Sequence, residues 1–327
     1  MARRLVLGLT AGLVLTCAAV EAAAGTVNRY SSLWVFGDSL SDPGNLYAAT
    51  GDTIPQSPPY FEGRRSNGPV WAEYLAADFD ARGLAAANFA YAFANALPND
   101  DTALGLPVQV PDLPDQIADF ALASRDRLGT APIASLWFGS NDIFQQIAAN
   151  PDPVAVAATA ARAANAVAEG VRALAEFGIE DFLVFNLPAL EKTPQFALLR
   201  PEAAPLARIG SDTFNATLAD RIAELKTTGL RVGTLDMHAA FDDLIANPRQ
   251  YGLTNATDPC LIPDVSICTP EQAKEWAFFD PVHPNSVVHS EIAGLVGTKI
   301  APVPLPLPAL LLLGGLASLG FAARRRG

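Results

Sequence analysis

Leu33-Trp34-Val35-Phe36-Gly37-Asp38-Ser39-Leu40-Ser41-Asp42-Pro43-Gly44-Asn45 decides how this chain is read. An apolar run rich in β-formers enters a tight Gly-Asp turn, and the turn delivers a serine. The pattern predicts a strand over Leu33–Phe36 with Ser39 just past its carboxyl end, where open α/β sheets hold their ligands. A serine hydroxyl is a weak nucleophile and needs a base and an acid from elsewhere. Asp280-Pro281-Val282-His283, far downstream in a chain with three histidines, offers both.

Outward from that strand, helical and strand-like stretches alternate. Gly68 to Leu84 reads as helix, Ala85–Ala90 as a second strand and Ile133–Phe138 as a third. The alanine-rich Pro153–Phe177 is a long helix with Gly178 as its stop. Glu180–Phe185 and Leu230–Leu235 are further strands, Pro205–Thr228 is a helix, and Asn285–Ile300 closes the domain as a helix. Strands alternating with helices predict a mostly parallel sheet covered on both faces. Tyr47–Asn67, Pro98–Pro114 and Asn247–Pro270 are irregular, and long excursions of this kind serve as walls or lids.

The two ends read differently. Basic Arg3-Arg4, an apolar run over Leu5–Val20 and Ala22-Ala23-Ala24 predict a secretory signal peptide over residues 1–24. Cys17 raises a lipoprotein alternative, but Leu15-Thr16 fits a lipidation box poorly. At the other end, Pro302–Pro308 leads into apolar Ala309–Ala323 and then Arg324-Arg325-Arg326. A plain membrane anchor is the simpler reading, although the stretch is short for a span of roughly 20 residues. The three-part tail over 302–327 resembles the VPLPA/PEP-CTERM sorting signals of Gram-negative bacteria. That resemblance implies export across the inner membrane, transient membrane contact and processing by an exosortase, with the protein ending at the cell surface or outside the cell.

Residues 25–301 remain as one domain. Setting aside Arg3, Arg4, Glu21 and Arg324–Arg326 leaves 17 basic and 33 acidic residues, a net charge near −16. Such a chain, with no basic stripe, is a poor partner for nucleic acid or anionic lipid. Cys260 and Cys268 lie close together and predict a disulfide in an exported protein. No histidine stands at ligand spacing from them, so no metal is expected, and no motif implies a cofactor.

The candidate chemistry sits just past the strands. Ser39 needs a base within hydrogen-bond reach, with His283 leading and Asp280 placed to orient it. His238, two residues after Asp236, is a rival on spacing alone, whereas His289 falls in a helix and reads as structural. Acyl transfer also needs donors for a tetrahedral oxyanion. Gly139-Ser140-Asn141-Asp142 could supply the Asn141 amide, and the Ser39 N–H and the segment Asn88–Phe93 could supply others. These pieces together point to a serine hydrolase.

Gly37-Asp38-Ser39-Leu40, Asn88-Phe89-Ala90, Gly139-x-Asn141-Asp142 and Asp280-x-x-His283 resemble the four sequence blocks of the GDSL-type SGNH hydrolases. The longer wording around Ser39, Ser66-Asn67-Gly68-Pro69-Val70-Trp71 and Phe279–Pro284 is similar to the bacterial phospholipase/lecithinase/haemolysin branch. The resemblance implies a flavodoxin-like three-layer α/β/α sandwich. It further implies Ser39 as nucleophile, His283 rather than His238 as base, Asp280 as orienting acid, and Asn141 with the Ser39 N–H as oxyanion donors. Asp38, Asp42 and Asn45 become scaffolding of the catalytic turn. One departure stands out: Phe93 occupies the position of a glycine whose N–H is the third donor in the family. A backbone N–H does not require glycine unless the local conformation has φ > 0.

The expected activity is hydrolysis of an acyl ester or phospholipid, with Tyr60, Phe61 and Phe93 as walls of the acyl pocket. Two other readings keep the fold: a surface or matrix binding protein with a weakened site, and an esterase for acetylated polysaccharide.

Overall fold

The computed structural model describes residues 29–300 except Pro263 and Asp264. The expected signal peptide and sorting tail, with Cys17, lie outside the described residues. Five parallel strands form the main sheet: β1 Ser32–Gly37, β2 Ala85–Asn88, β3 Pro132–Trp137, β4 Asp181–Phe185 and β5 Arg231–Leu235. Their order is β2-β1-β3-β4-β5, the flavodoxin-like arrangement, in which ligands bind where the strand order reverses. That switch lies between β1 and β3, and both of these strands are buried along their length.

Alternation along β1 sorts its side chains between two cores. Trp34 and Phe36 join Phe120, Val167 and Phe214 on one face. Leu33 and Val35 join Trp71, Phe241 and Val288 on the other. The first core is closed by α3 (Leu113–Ala123), α4 (Ser140–Ala149), α5 (Pro153–Ala175) and α6 (Ala204–Thr227). The second is closed by α2 (Trp71–Ala81), α7 (Met237–Ala246) and α8 (Ser286–Ile300). A short α1 (Asn45–Ala49) follows the Ser39 turn. The chain is therefore the three-layer α/β/α sandwich its sequence predicts.

The predicted elements match within a few residues, with one systematic shortfall. Helix α2 begins at Trp71, not Gly68, because Glu73 accepts from the Val70 N–H at 2.8 Å and fixes the start there. Helices α3, α4 and α7 were not expected from sequence. The first turn of α4 is Ser140-Asn141-Asp142, and α7 is capped by Asp236, whose side chain accepts from the Ala239 N–H. Ser, Asn and Asp favour turns and helix starts alike, so these stretches read as turns.

Of the predicted excursions, Asn247–Pro270 is partly ordered into small strands. Here β6 (Asn255–Pro259) pairs with β9 (Trp276–Phe278), and β7 (Leu261–Ile262) pairs with β8 (Val265–Ser266). Cys260 and Cys268 are joined by a disulfide across the base of this hairpin, with their Cα atoms 5.0 Å apart.

Candidate active site

Ser39 follows the carboxyl end of β1 and is held by a turn that the local sequence builds itself. The Asp38 carboxylate accepts from the Leu40 N–H at 3.0 Å, and the Asp38 carbonyl accepts from the N–H groups of Ser41 and Asp42, each at 3.0 Å. Gln116 of α3 clamps the peptide before it, accepting from the Gly37 N–H and donating to the Gly37 carbonyl. Asp42 is the hub of the turn, accepting from the N–H of Gly44, Asn45 and Ala92. Asn45 donates to the carbonyls of Asn88 and Ala90, and Asn88 donates to the carbonyl of Ser41. The first and second sequence blocks thus form one network around the serine.

The opposite arm comes from the loop between β9 and α8. Asp280 accepts from the N–H of Val282 and His283 at 2.9 and 2.8 Å, a tight turn that returns His283 over its own neighbour. His283 Nδ1 lies 2.7 Å from Asp280 Oδ2, and His283 Nε2 lies 2.7 Å from Ser39 Oγ. With Nδ1–H donating to the carboxylate, Nε2 is left to accept the serine proton. Burial alone would push Asp280 up. The charge and hydrogen bond of His283, with the two N–H donors, outweigh it and hold the carboxyl below its ordinary value. The Ser66-Asn67-Gly68 block braces this arm. Ser66 Oγ donates to the Pro284 carbonyl, and Asn67 accepts from the Ser286 N–H.

Three donor groups are candidates for the oxyanion role. Among the described residues, the N–H groups of Ser39 and Phe93 have no hydrogen-bond acceptor. Asn141 spends one amide hydrogen on the Ala94 carbonyl at 2.9 Å, and both Asn141 and Phe93 line the cavity with Ser39 and His283. Phe93 has φ +74°, the left-handed region that favours glycine. The backbone therefore takes the conformation a glycine would take, despite the side chain. The ring leans on the Arg65 guanidinium, whose carbon lies 4.7 Å from the ring centre. Behind these donors Asp142 accepts from the N–H of Ala96 and Leu97, tying the loop after β2 to α4.

The structure brings Ser39, His283, Asn141 and Phe93 to one cavity, with Asp280 buried behind His283. His238 stands elsewhere, at the start of α7, 3.9 Å from Asp242. His289 is buried in α8, where it accepts from the Trp71 N–H and burial pushes its pKa down to about 3. The cavity wall comes from Leu40, Phe93, Phe144, Leu190, Phe241 and Phe278. Two of the expected wall residues are placed otherwise. Phe61 is exposed, and Tyr60 reaches behind the histidine to donate to Asp280 Oδ2 at 2.8 Å. Nothing in the spacing of Tyr60 announced that contact, which spans 220 residues. Among the described residues no group of His, Cys, Asp and Glu side chains is assembled to hold a metal.

The GDSL-like lipase/acylhydrolase family model matches residues 33–296, most of the chain. The chain belongs to the GDSL-like lipase/acylhydrolase family. A thermolabile hemolysin of Vibrio parahaemolyticus is 28% identical over 287 residues, 83% of this chain and 64% of that protein. The chain thus spans just under two thirds of the hemolysin's length. A phosphatidylcholine-sterol acyltransferase of Aeromonas hydrophila is 29% identical over 239 residues, 73% of this chain and 68% of that protein. The crystal structure of phospholipase A1 from Streptomyces albidoflavus overlaps with a TM-score of 0.46 at 15% identity, covering 83% of this chain and 99% of that one. The blocks that carry the resemblance are the ones that gather around Ser39.

Proposed function

We propose that this protein is an exported serine esterase or lipase that cleaves carboxylic acyl esters through an acyl-serine intermediate. The observation that carries the reading is the chain of contacts from Ser39 Oγ through His283 to Asp280, each link at 2.7 Å. In the first step Ser39 Oγ attacks the ester carbonyl carbon while its proton passes to His283 Nε2. Asp280 stays ionised and holds the imidazolium through Nδ1–H. The oxyanion is met by the N–H of Ser39 and Phe93 and the Asn141 amide, donors already in place before charge develops. Collapse releases the alcohol, which takes the proton from His283. A water activated by the same base then frees the acid.

The apolar wall suits the acyl part of the substrate, and the name of the Aeromonas relative supports a phospholipid as one acyl donor. Residues 1–24 and 302–327 are proposed as the export leader and the sorting tail, the latter read by an exosortase-type enzyme. The glycine-like φ of Phe93 speaks against a decayed binding protein, because the third donor keeps its place.

The test is hydrolysis of p-nitrophenyl acetate, butyrate and a longer ester by the mature chain and by Ser39→Ala. The reading expects turnover that Ser39→Ala abolishes, with the chain-length profile reporting the pocket. A folded wild-type protein inert on all three would overturn it.

A further inference from the structure

Among the described residues Arg65 is the one lysine or arginine lining the Ser39 cavity. Its guanidinium carbon lies 4.7 Å from the centre of the Phe93 ring and 5.4 Å from that of Tyr60. Those are the residue of the third oxyanion donor and the residue bonded to Asp280. The neighbouring Arg64 is spent on structure, bridging Glu73 at 2.5 Å and Glu62 at 3.4 Å. Among the described residues Arg65 has no carboxylate within 4.0 Å, in a chain where acids outnumber bases. The carboxylates of the site are not its counterions. Asp280 is taken by His283, Tyr60 and two N–H groups, and Asp38 is buried beneath the serine.

The Arg65 guanidinium hydrogen-bonds the Tyr60 hydroxyl, and with its charge leaning on aromatic rings its other in-plane N–H groups are left for an acceptor in the cavity. Those donors match the paired oxygens of a phosphate or carboxylate. The remaining wall is mostly apolar and suits an acyl chain, which carries no charge. We propose that Arg65 is a specificity residue that binds a phosphoryl group on the alcohol half of the substrate. The preferred substrate class is then an acyl ester of a phosphorylated alcohol. This rests on the acyl-ester reading above and deepens it.

A soluble pair that differs only in phosphate tests it: 1-butyrylglycerol and 1-butyrylglycerol 3-phosphate. The readout is the ratio of kcat/KM for the phosphorylated over the neutral ester in wild type, Arg65→Lys and Arg65→Met. Because the readout is a ratio, any general loss of activity in a variant cancels. A charge-assisted hydrogen bond of about 1.5–3 kcal/mol predicts a fall in the ratio of roughly 10- to 150-fold for Arg65→Met, carried mainly by KM. Arg65→Lys, which keeps the charge without the fork, should lie between. Glycerol 3-phosphate should inhibit wild type competitively, better than inorganic phosphate if the ligand is a headgroup, and should inhibit Arg65→Met poorly. A wild-type ratio near one, or an equal ratio in all three proteins, would overturn the proposal. The latter would make Arg65 a brace for Phe93 and Tyr60. Failure of the acyl-ester reading looks different, since neither ester would then be cleaved.

Discussion

Tyr60 Oη donates a hydrogen bond of 2.8 Å to Asp280 Oδ2, the same oxygen that lies 2.7 Å from His283 Nδ1. The phenol is pushed above its ordinary range, first by burial and then by the Asp280 charge, so it remains a donor at any working pH. Tyr60 rests edge-on against Phe279, one residue before the acid it holds.

In the proposed mechanism that bond fixes the carboxylate that orients the base. Tyr60→Phe removes one donor to a charged acceptor while keeping the ring. With such a bond worth about 1.5–3 kcal/mol, we expect kcat on p-nitrophenyl butyrate to fall about tenfold or more with KM little changed. Steady-state kinetics beside a urea melt will separate this from a folding defect. An unaltered kcat would mean that the backbone N–H groups hold Asp280 by themselves.

Asn141 lines the cavity and has a second amide hydrogen beyond the one given to the Ala94 carbonyl. Asn141→Ala should cost roughly 10²–10³ in kcat with little effect on KM, the expected loss for one oxyanion donor. A loss under about fivefold would place the oxyanion away from α4.

Phe93 makes a prediction about stability that runs against the usual order. An L-residue in the left-handed region costs about 1–2 kcal/mol that glycine does not. Phe93→Gly should therefore be more stable than Phe93→Ala by about 1 kcal/mol in urea unfolding, although Ala normally stabilises a chain relative to Gly. Equal or reversed stabilities would show that residue 93 does not hold φ +74° in solution.

Asp38 is buried beside Ser39, and burial pushes its carboxyl up to about 7. One oxygen accepts from Leu40, and the other has no partner among the described residues. Between the ordinary carboxyl value and about 7 the folded state binds more protons than the unfolded chain, so this group favours folding at low pH. Its contribution is lost as pH rises toward 7. His289, held neutral by burial, acts in the opposite sense as pH rises through its ordinary range, so the wild-type curve alone is ambiguous. The comparison that isolates Asp38 is with Asp38→Asn. Denaturant melts at pH 5 and pH 8 should show the wild type losing more stability than the variant across that interval. Parallel curves would mean that Asp38 is ionised throughout.

The catalytic turn and the main sheet were legible because their signals are local. A run of apolar β-formers ending in Gly-Asp-Ser allows little except a strand feeding a tight turn, and β1 lies within a residue of the prediction at each end. The Asp280-to-His283 spacing was equally local, but on spacing alone Asp236 and His238 looked as good. Resemblance to a family decided between them, and the contact of His283 with Ser39 shows the geometry. The remainder was hidden because it depends on chain segments far apart in sequence. Tyr60 read as an apolar wall, yet its hydroxyl meets Asp280 because the loop carrying it packs on Phe279 and Asp280, just past β9. Arg65 was indistinguishable in sequence from Arg64, and only the surroundings separate an ion-paired brace from a cation facing the cavity.

The central claim is that Ser39, activated by His283, forms the covalent intermediate. A p-nitrophenyl alkylphosphonate traps such a nucleophile as a stable adduct, which peptide mass spectrometry can locate while residual hydrolysis is followed. The account predicts one adduct, on Ser39, rising in step with the loss of esterase activity and absent from His283→Ala. An adduct on another residue, or full esterase activity with Ser39 completely modified, would contradict it.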